Sequence, residues 1–128
     1  MRPQSAKAKG RRLQQWVRDK LLEYCPSLRP DDIRSTSMGA GGEDVQLSTA
    51  ARLVYPYSIE CKNTQTLNIW KALSQAEENA TPIEYTDGRC EMTIVPSVPL
   101  VVFKRNHSKV YVALEFEEFL KLTRRESK

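Results

Sequence analysis

Apolar positions recur every three or four residues at Leu13, Trp16, Val17, Leu21 and Tyr24, a spacing that predicts an amphipathic helix from Arg11 to Tyr24. Cys25-Pro26 ends it, because a residue before proline is pushed out of the helical region. The period then shortens to two. Ile33 to Ser37 reads as a short strand, and Glu43 to Leu47 alternates polar and apolar residues. Tyr57 to Lys62 alternates more clearly, with Tyr57, Ile59 and Cys61 toward one side and Ser58, Glu60 and Lys62 toward the other. Helical spacing returns from Leu67 to Ala80 through Ile69, Trp70, Leu73, Ala76 and Ala80. Residues 81–97, broken by Pro82, Asp87-Gly88 and Pro96, read as irregular. Leu100 to Phe103 is unbroken apolar sequence, as in a buried central strand. A polar turn, Lys104 to Lys109, precedes a partner strand at Val110 to Leu114 and a closing helix at Glu115 to Leu122. The order αβββαββα describes an α/β domain with a mixed sheet of about five strands flanked by helices.

The length of 128 residues fits one core, placed at residues 10–123 between a flexible basic segment, 1–9, and a short basic tail, 124–128. A net charge of +4 conceals an asymmetry. Residues 1–20 hold seven cations against Asp19 alone, and the remainder is slightly acidic. A basic segment on an acidic body suits a polyanionic partner, and it equally suits a solvated tail. No apolar run is long enough to cross a bilayer, and the first residues lack the apolar stretch of a secretory signal. Cys25, Cys61 and Cys90 are odd in number and widely spaced, fitting neither a disulfide scaffold nor a zinc module, so a reducing, cytoplasmic setting is expected. With His107 the single histidine, Ser-His-Asp and most zinc-hydrolase schemes fall away. Chemistry in this chain would rest on carboxylates, lysine and a hard metal ion.

Asp44 followed by Glu60-x-Lys62 supplies those groups. Alternation puts Glu60 and Lys62 on one sheet face, about 6–7 Å apart along the strand. Two carboxylates offer hard oxygen ligands suited to Mg²⁺, and an ammonium can orient a water and stabilise developing phosphate charge. Together they suit metal-assisted phosphodiester hydrolysis. A Glu-x-Lys pair on a strand is also commonly a surface ion pair worth about 0–1 kcal/mol with no chemical role.

In order and spacing these pieces resemble the PD-(D/E)xK nuclease superfamily, in particular its small Holliday-junction-resolvase-like and phage-encoded endonucleases. The resemblance runs through Lys9-Gly10, the segment Ser37 to Val45, Ser58 to Asn63, Gln75-Ala76 and Pro99 to Arg105, spanning residues 9–122. It implies a restriction-endonuclease-like core and a metal-dependent endodeoxyribonuclease. Asp44 and Glu60 would bind Mg²⁺, with Mn²⁺ able to substitute. The backbone carbonyl of Cys61 would be a further ligand, Lys62 would position the attacking water, and Gln75 would approach the site. Alternation sends the Cys61 side chain into the core.

Two departures stand out. The position in helix one where many such resolvases carry an acid is Gln14, and the first motif reads Gly42-Glu43-Asp44 without a proline. Only one of Glu43 and Asp44 can face the site, and Asp44 is chosen. For DNA, the phosphate-contact candidates are Lys7, Lys9, Arg11 and Arg12, then Lys104 and Arg105, with Ser37 and the backbone of Gly41 in the glycine loop. The implied substrate is DNA, branched or four-way junctions among its forms. Symmetric cutting would take a homodimer, for which Trp70 and residues 81–97 are candidate contacts. Two other functions fit the same residues: a nicking or restriction-type endonuclease, and a catalytically silent DNA-binding module.

Overall fold

The computed structural model describes residues 3–36, 42–86, 88–89 and 91–123. Helix α1 runs from Pro3 to Tyr24, beginning well before Arg11. The segment expected as a flexible leader is therefore helical from Pro3 onward. Proline suits a first helical position, and Ala6, Lys7, Ala8 and Lys9 are strong helix formers. Leu13 and Val17 are buried, while Trp16 and Tyr24, expected beside them, are 45% and 84% exposed. The buried stripe is narrower than the apolar one, and Gln14 takes a place in it at 2% exposure.

Strands β1 (Ile33–Ser35) and β2 (Val45–Leu47) pair antiparallel, and β2 meets β3 (Tyr57–Asn63) through Val45 and Ile59. A short helix, α2 (Thr49–Val54), lies between β2 and β3, in a stretch where no element was expected. Its signal is the Ser48 cap, whose Oγ accepts from the Ala51 N–H at 3.1 Å and donates to Asp32 Oδ1 at 2.7 Å. After α3 (Ile69–Glu78) comes a hairpin of β4 (Ile83–Thr86) and β5 (Met92–Val95), where irregular chain was expected. The Asp87-Gly88 step between two strand-forming runs is a hairpin signal. Then β6 (Val98–Lys104) runs parallel to β3, β7 (Tyr111–Ala113) pairs antiparallel to β6, and α4 (Phe116–Thr123) closes the described chain.

The main sheet is thus mixed and five-stranded, in the order β1-β2-β3-β6-β7, and β4-β5 form a separate two-stranded sheet. With α2 and the hairpin as insertions, the order of the remaining elements is the αβββαββα expected. Both faces of β3 are covered. On one, Ile59 and Cys61 pack with Leu13, Val17, Val45, Leu47, Ala51 and Val102; on the other, Ala72 and Ala76 of α3 close over Val101. Ser58, Ile59, Glu60 and Cys61 are therefore all buried, and the alternation visible in sequence separates two covered faces rather than core from solvent. Arg18 ties α1 to the sheet, its Nε donating to the Ile33 carbonyl at 2.8 Å, and the Tyr55 hydroxyl donates to the Leu21 carbonyl at 2.7 Å. Among the described residues no helix is long and apolar enough to cross a membrane.

Candidate active site

Asp44 sits immediately before β2 and is fixed by its own backbone. Its N–H donates to the Ile59 carbonyl at 3.1 Å, and its carbonyl accepts from the Thr36 N–H at 2.9 Å and the Thr36 hydroxyl at 3.1 Å. Held between β1 and β3, the residue directs its carboxylate to β3, where Oδ2 accepts from the Cys61 N–H at 2.8 Å. The N–H and C=O of one strand residue project to the same edge, so the Cys61 carbonyl shares the edge that carries Asp44. The Cys61 side chain turns the other way, into the core, where burial raises its thiol above the ordinary range and keeps it neutral.

Glu43, one residue earlier, takes a different path. It is 4% exposed and bonds Arg52 of α2 through both carboxylate oxygens, at 3.1 Å from Oε2 to Nη1 and more closely from Oε1 to Nη2. This two-point pair occupies Glu43 structurally and leaves Asp44 as the acid that meets β3.

Glu60 is 1% exposed, on the face of β3 that α3 covers. Burial raises its carboxyl to about 7, a hydrogen bond from Asn79 works against that rise, the Asp44 charge adds to it and the Lys62 charge opposes it. The bond from Asn79 Nδ2 to Glu60 Oε1 is 3.0 Å long. Lys62, two residues on, donates from Nζ to Gln75 Oε1 at 2.8 Å. Strand β3 thus presents Glu60 and Lys62 at its carboxyl end, and successive turns of α3 present Gln75 and Asn79 to them.

Asp44, Glu60, Lys62 and Gln75 come together as the sequence suggests. Asn79 belongs with them and was not foreseen. It caps the carboxyl end of α3, and nothing in the linear pattern separates a capping asparagine from one aimed at a neighbouring strand. Each carboxylate has one oxygen held by a fixed donor, Asn79 for Glu60 and the Cys61 N–H for Asp44, and the two carboxyl groups also bond each other. Asp44 and Glu60 with the Cys61 carbonyl form a hard-oxygen donor set. The burial of one carboxylate beside another is an electrostatic cost that a divalent cation would relieve. Among the described residues no group of three or more His, Cys, Asp or Glu side chains is placed to hold a metal, so two carboxylates are all the acid this set has.

The DNA-contact candidates divide. Lys9 and Arg12 share one face of α1 and meet Lys104 at the end of β6. Lys7 and Arg11 are exposed on α1, outside that grouping, and Arg105 is exposed in the turn after β6. Ser37 and Gly41 lie outside the described residues, as does Cys90. His107 is a turn residue with φ +62°, a left-handed conformation that histidine adopts more readily than most side chains. No family model, no curated protein and no solved structure matches this chain.

Proposed function

We propose that this chain is a metal-dependent DNA endonuclease that hydrolyses phosphodiester bonds. One observation carries the reading: a fixed acid just ahead of β2, a buried acid and a lysine from β3, and two amides from α3 and its cap come together about the carboxyl end of β3. A purely structural ion pair would need neither a second carboxylate nor the cost of keeping Glu60 at 1% exposure. The restriction-endonuclease-like character of the core belongs to the same proposal.

In this reading Asp44, Glu60 and the Cys61 carbonyl hold Mg²⁺ or Mn²⁺. When bound, the cation neutralises phosphate charge and lowers the pKa of a water. Asn79 orients the Glu60 carboxylate, and the Cys61 N–H orients that of Asp44. The Gln75 amide oxygen accepts a hydrogen bond from one of the three N–H groups of the Lys62 ammonium, leaving two donors for the attacking water and a phosphate oxygen. Lys9, Arg12 and Lys104 bind neighbouring phosphates. Cutting two strands symmetrically would take two copies, since each chain carries one such site.

The test is incubation with linear duplex, single-stranded and four-way-junction DNA, with Mg²⁺ or Mn²⁺ present, removed and restored. Metal-dependent cleavage that Asp44→Ala, Glu60→Ala or Lys62→Ala each reduces at least 100-fold is the expected result. Full cleavage by Glu60→Ala overturns the site. The alternative is a silent DNA-binding module with the same fold, against which the intact acid and lysine set argues; its signature is DNA binding without cleavage under any metal.

A further inference from the structure

Trp16, like Tyr24 and Trp70, is placed in the core by the helical pattern and left out of it by the fold. It follows Lys9 and Arg12 on α1 at intervals of seven and four residues, so the three share one face. That face forms one wall of a groove of about 390 Å³, a volume suited to a group of nucleotide size. The other wall comes from Asn63 at the end of β3, from Lys104 at the end of β6, and from His107 and Val110 after it. Asn63 and Lys104 are register partners in the parallel pair, and Asn63 Nδ2 donates to the Lys9 carbonyl at 3.2 Å, fastening the two walls together. The Lys20 ammonium stands over the Trp16 ring, 5.6 Å from its centroid, and pairs with Glu23 at 3.9 Å, so it lies on one face of the indole and outside the groove's lining. Asn63 follows Lys62 on β3 but faces α1 rather than α3, so the groove lies at the same strand ends as the candidate site, on the other face of the sheet.

Cations alone would describe a surface for any duplex backbone. A half-exposed indole among them adds a flat apolar platform, and a duplex has no base free to use it. An unpaired strand does, since every base has a face to stack and a phosphate on either side. We propose that this groove seats an unpaired nucleotide of a DNA strand, its base against Trp16 and its phosphates on Lys9, Arg12 and Lys104. The proposal rests on the nuclease reading for its choice of polymer, and it makes DNA with a single-stranded or splayed segment the substrate.

The chain has two tryptophans, and Trp70 is 77% exposed on α3, so Trp70→Phe leaves Trp16 as the sole tryptophan, selectively excited, without disturbing the core. This variant, with Asp44→Asn added and chelator present, is titrated with oligothymidylate of about 12 nucleotides, a length within the usual span of a single-strand site. Parallel titrations use a blunt duplex, oligouridylate and inorganic polyphosphate. Saturable quenching of Trp16 by oligothymidylate, absent with polyphosphate, is expected. In the Trp70-containing chain, Trp16→Ala should weaken single-strand binding about 10-fold and duplex binding less than about twofold, and Lys9→Gln with Arg12→Gln should weaken both. Equal quenching by polyphosphate, no quenching by oligothymidylate, or equal losses for duplex and single strand on Trp16→Ala would overturn the proposal. Tighter binding of oligouridylate overturns the assignment to DNA. Because the titration needs neither metal nor turnover, its failure is distinct from failure of the cleavage assay.

Discussion

Glu43 and Arg52 make the one buried ion pair among the described residues, with side chains 3% and 10% exposed. Taking one partner away leaves a charge in a place it cannot be solvated, which costs about 3–5 kcal/mol, whereas replacing both by apolar or neutral groups costs far less. Arg52→Met should accordingly lower urea stability by about that amount, and Glu43→Gln combined with Arg52→Met should recover much of it. Equal losses in the single and double variants would show that the pair is not what holds this corner. Glu60 poses the opposite problem, a buried acid in contact with another acid. Its folded-state pKa, about 7, lies above the ordinary value of 4.5. The unfolded chain therefore loses its proton first as pH rises, and the metal-free protein should lose stability between about pH 4.5 and 7 and then level off. Denaturation at a series of pH values checks this, and Glu60→Gln should flatten the slope. A slope unchanged in Glu60→Gln would assign it to another group.

At the scale of elements, the helices and central strands are legible in sequence because each buries a stripe of fixed period. Leu13 and Val17, and Ile59 and Cys61, appear where periodicity puts them, and Val101 and Val102 where an unbroken apolar run does. The failures have physical causes. In the β4-β5 hairpin only Ile83 is buried, so its strands satisfy each other's backbones without an apolar rhythm against the main core. Helix α2 is too short for a periodic stripe and is held by its cap and by Arg52. Glu60 and Lys62 can be paired from strand alternation, and Asp44 is chosen beside them from the resemblance; Asn79 and Arg52 act across elements, and their partners are set by docking, which linear spacing does not encode. Ser48 joins two elements at once, capping α2 and bonding Asp32 ahead of β1. Its hydroxyl is the largest cause of the lowered Asp32 pKa. Ser48→Ala should destabilise the fold by about 1–2 kcal/mol in urea, and Ser48→Gly by less if capping dominates.

For the molecule as a whole, the cation proposed for Asp44 and Glu60 would link binding to folding. A ligand that binds only the folded chain stabilises it by about 2.7 kcal/mol at a hundredfold excess over its Kd. Mg²⁺ or Mn²⁺ should therefore raise the thermal midpoint by several degrees, and Asp44→Asn or Glu60→Gln should abolish the rise. A rise of equal size in both variants would place the ion elsewhere.

The parallel pairing of β3 with β6 has a temporal consequence. Asp44, Glu60, Lys62, Gln75 and Asn79 all precede residue 80, yet the strand that buries the floor beneath them begins at Val98. During synthesis every reactive group emerges well before the neighbour that gives it a fixed position. A chain stopped at Pro96 would contain all of the chemistry while lacking Val101 beneath α3 and Val102 beneath α1. Pairing over so long a separation is among the slower events of folding. In the proposed nuclease, competence at the acid pair would therefore arrive with the last quarter of the chain, and a nascent chain would stay inert until its last main-sheet strands are in place.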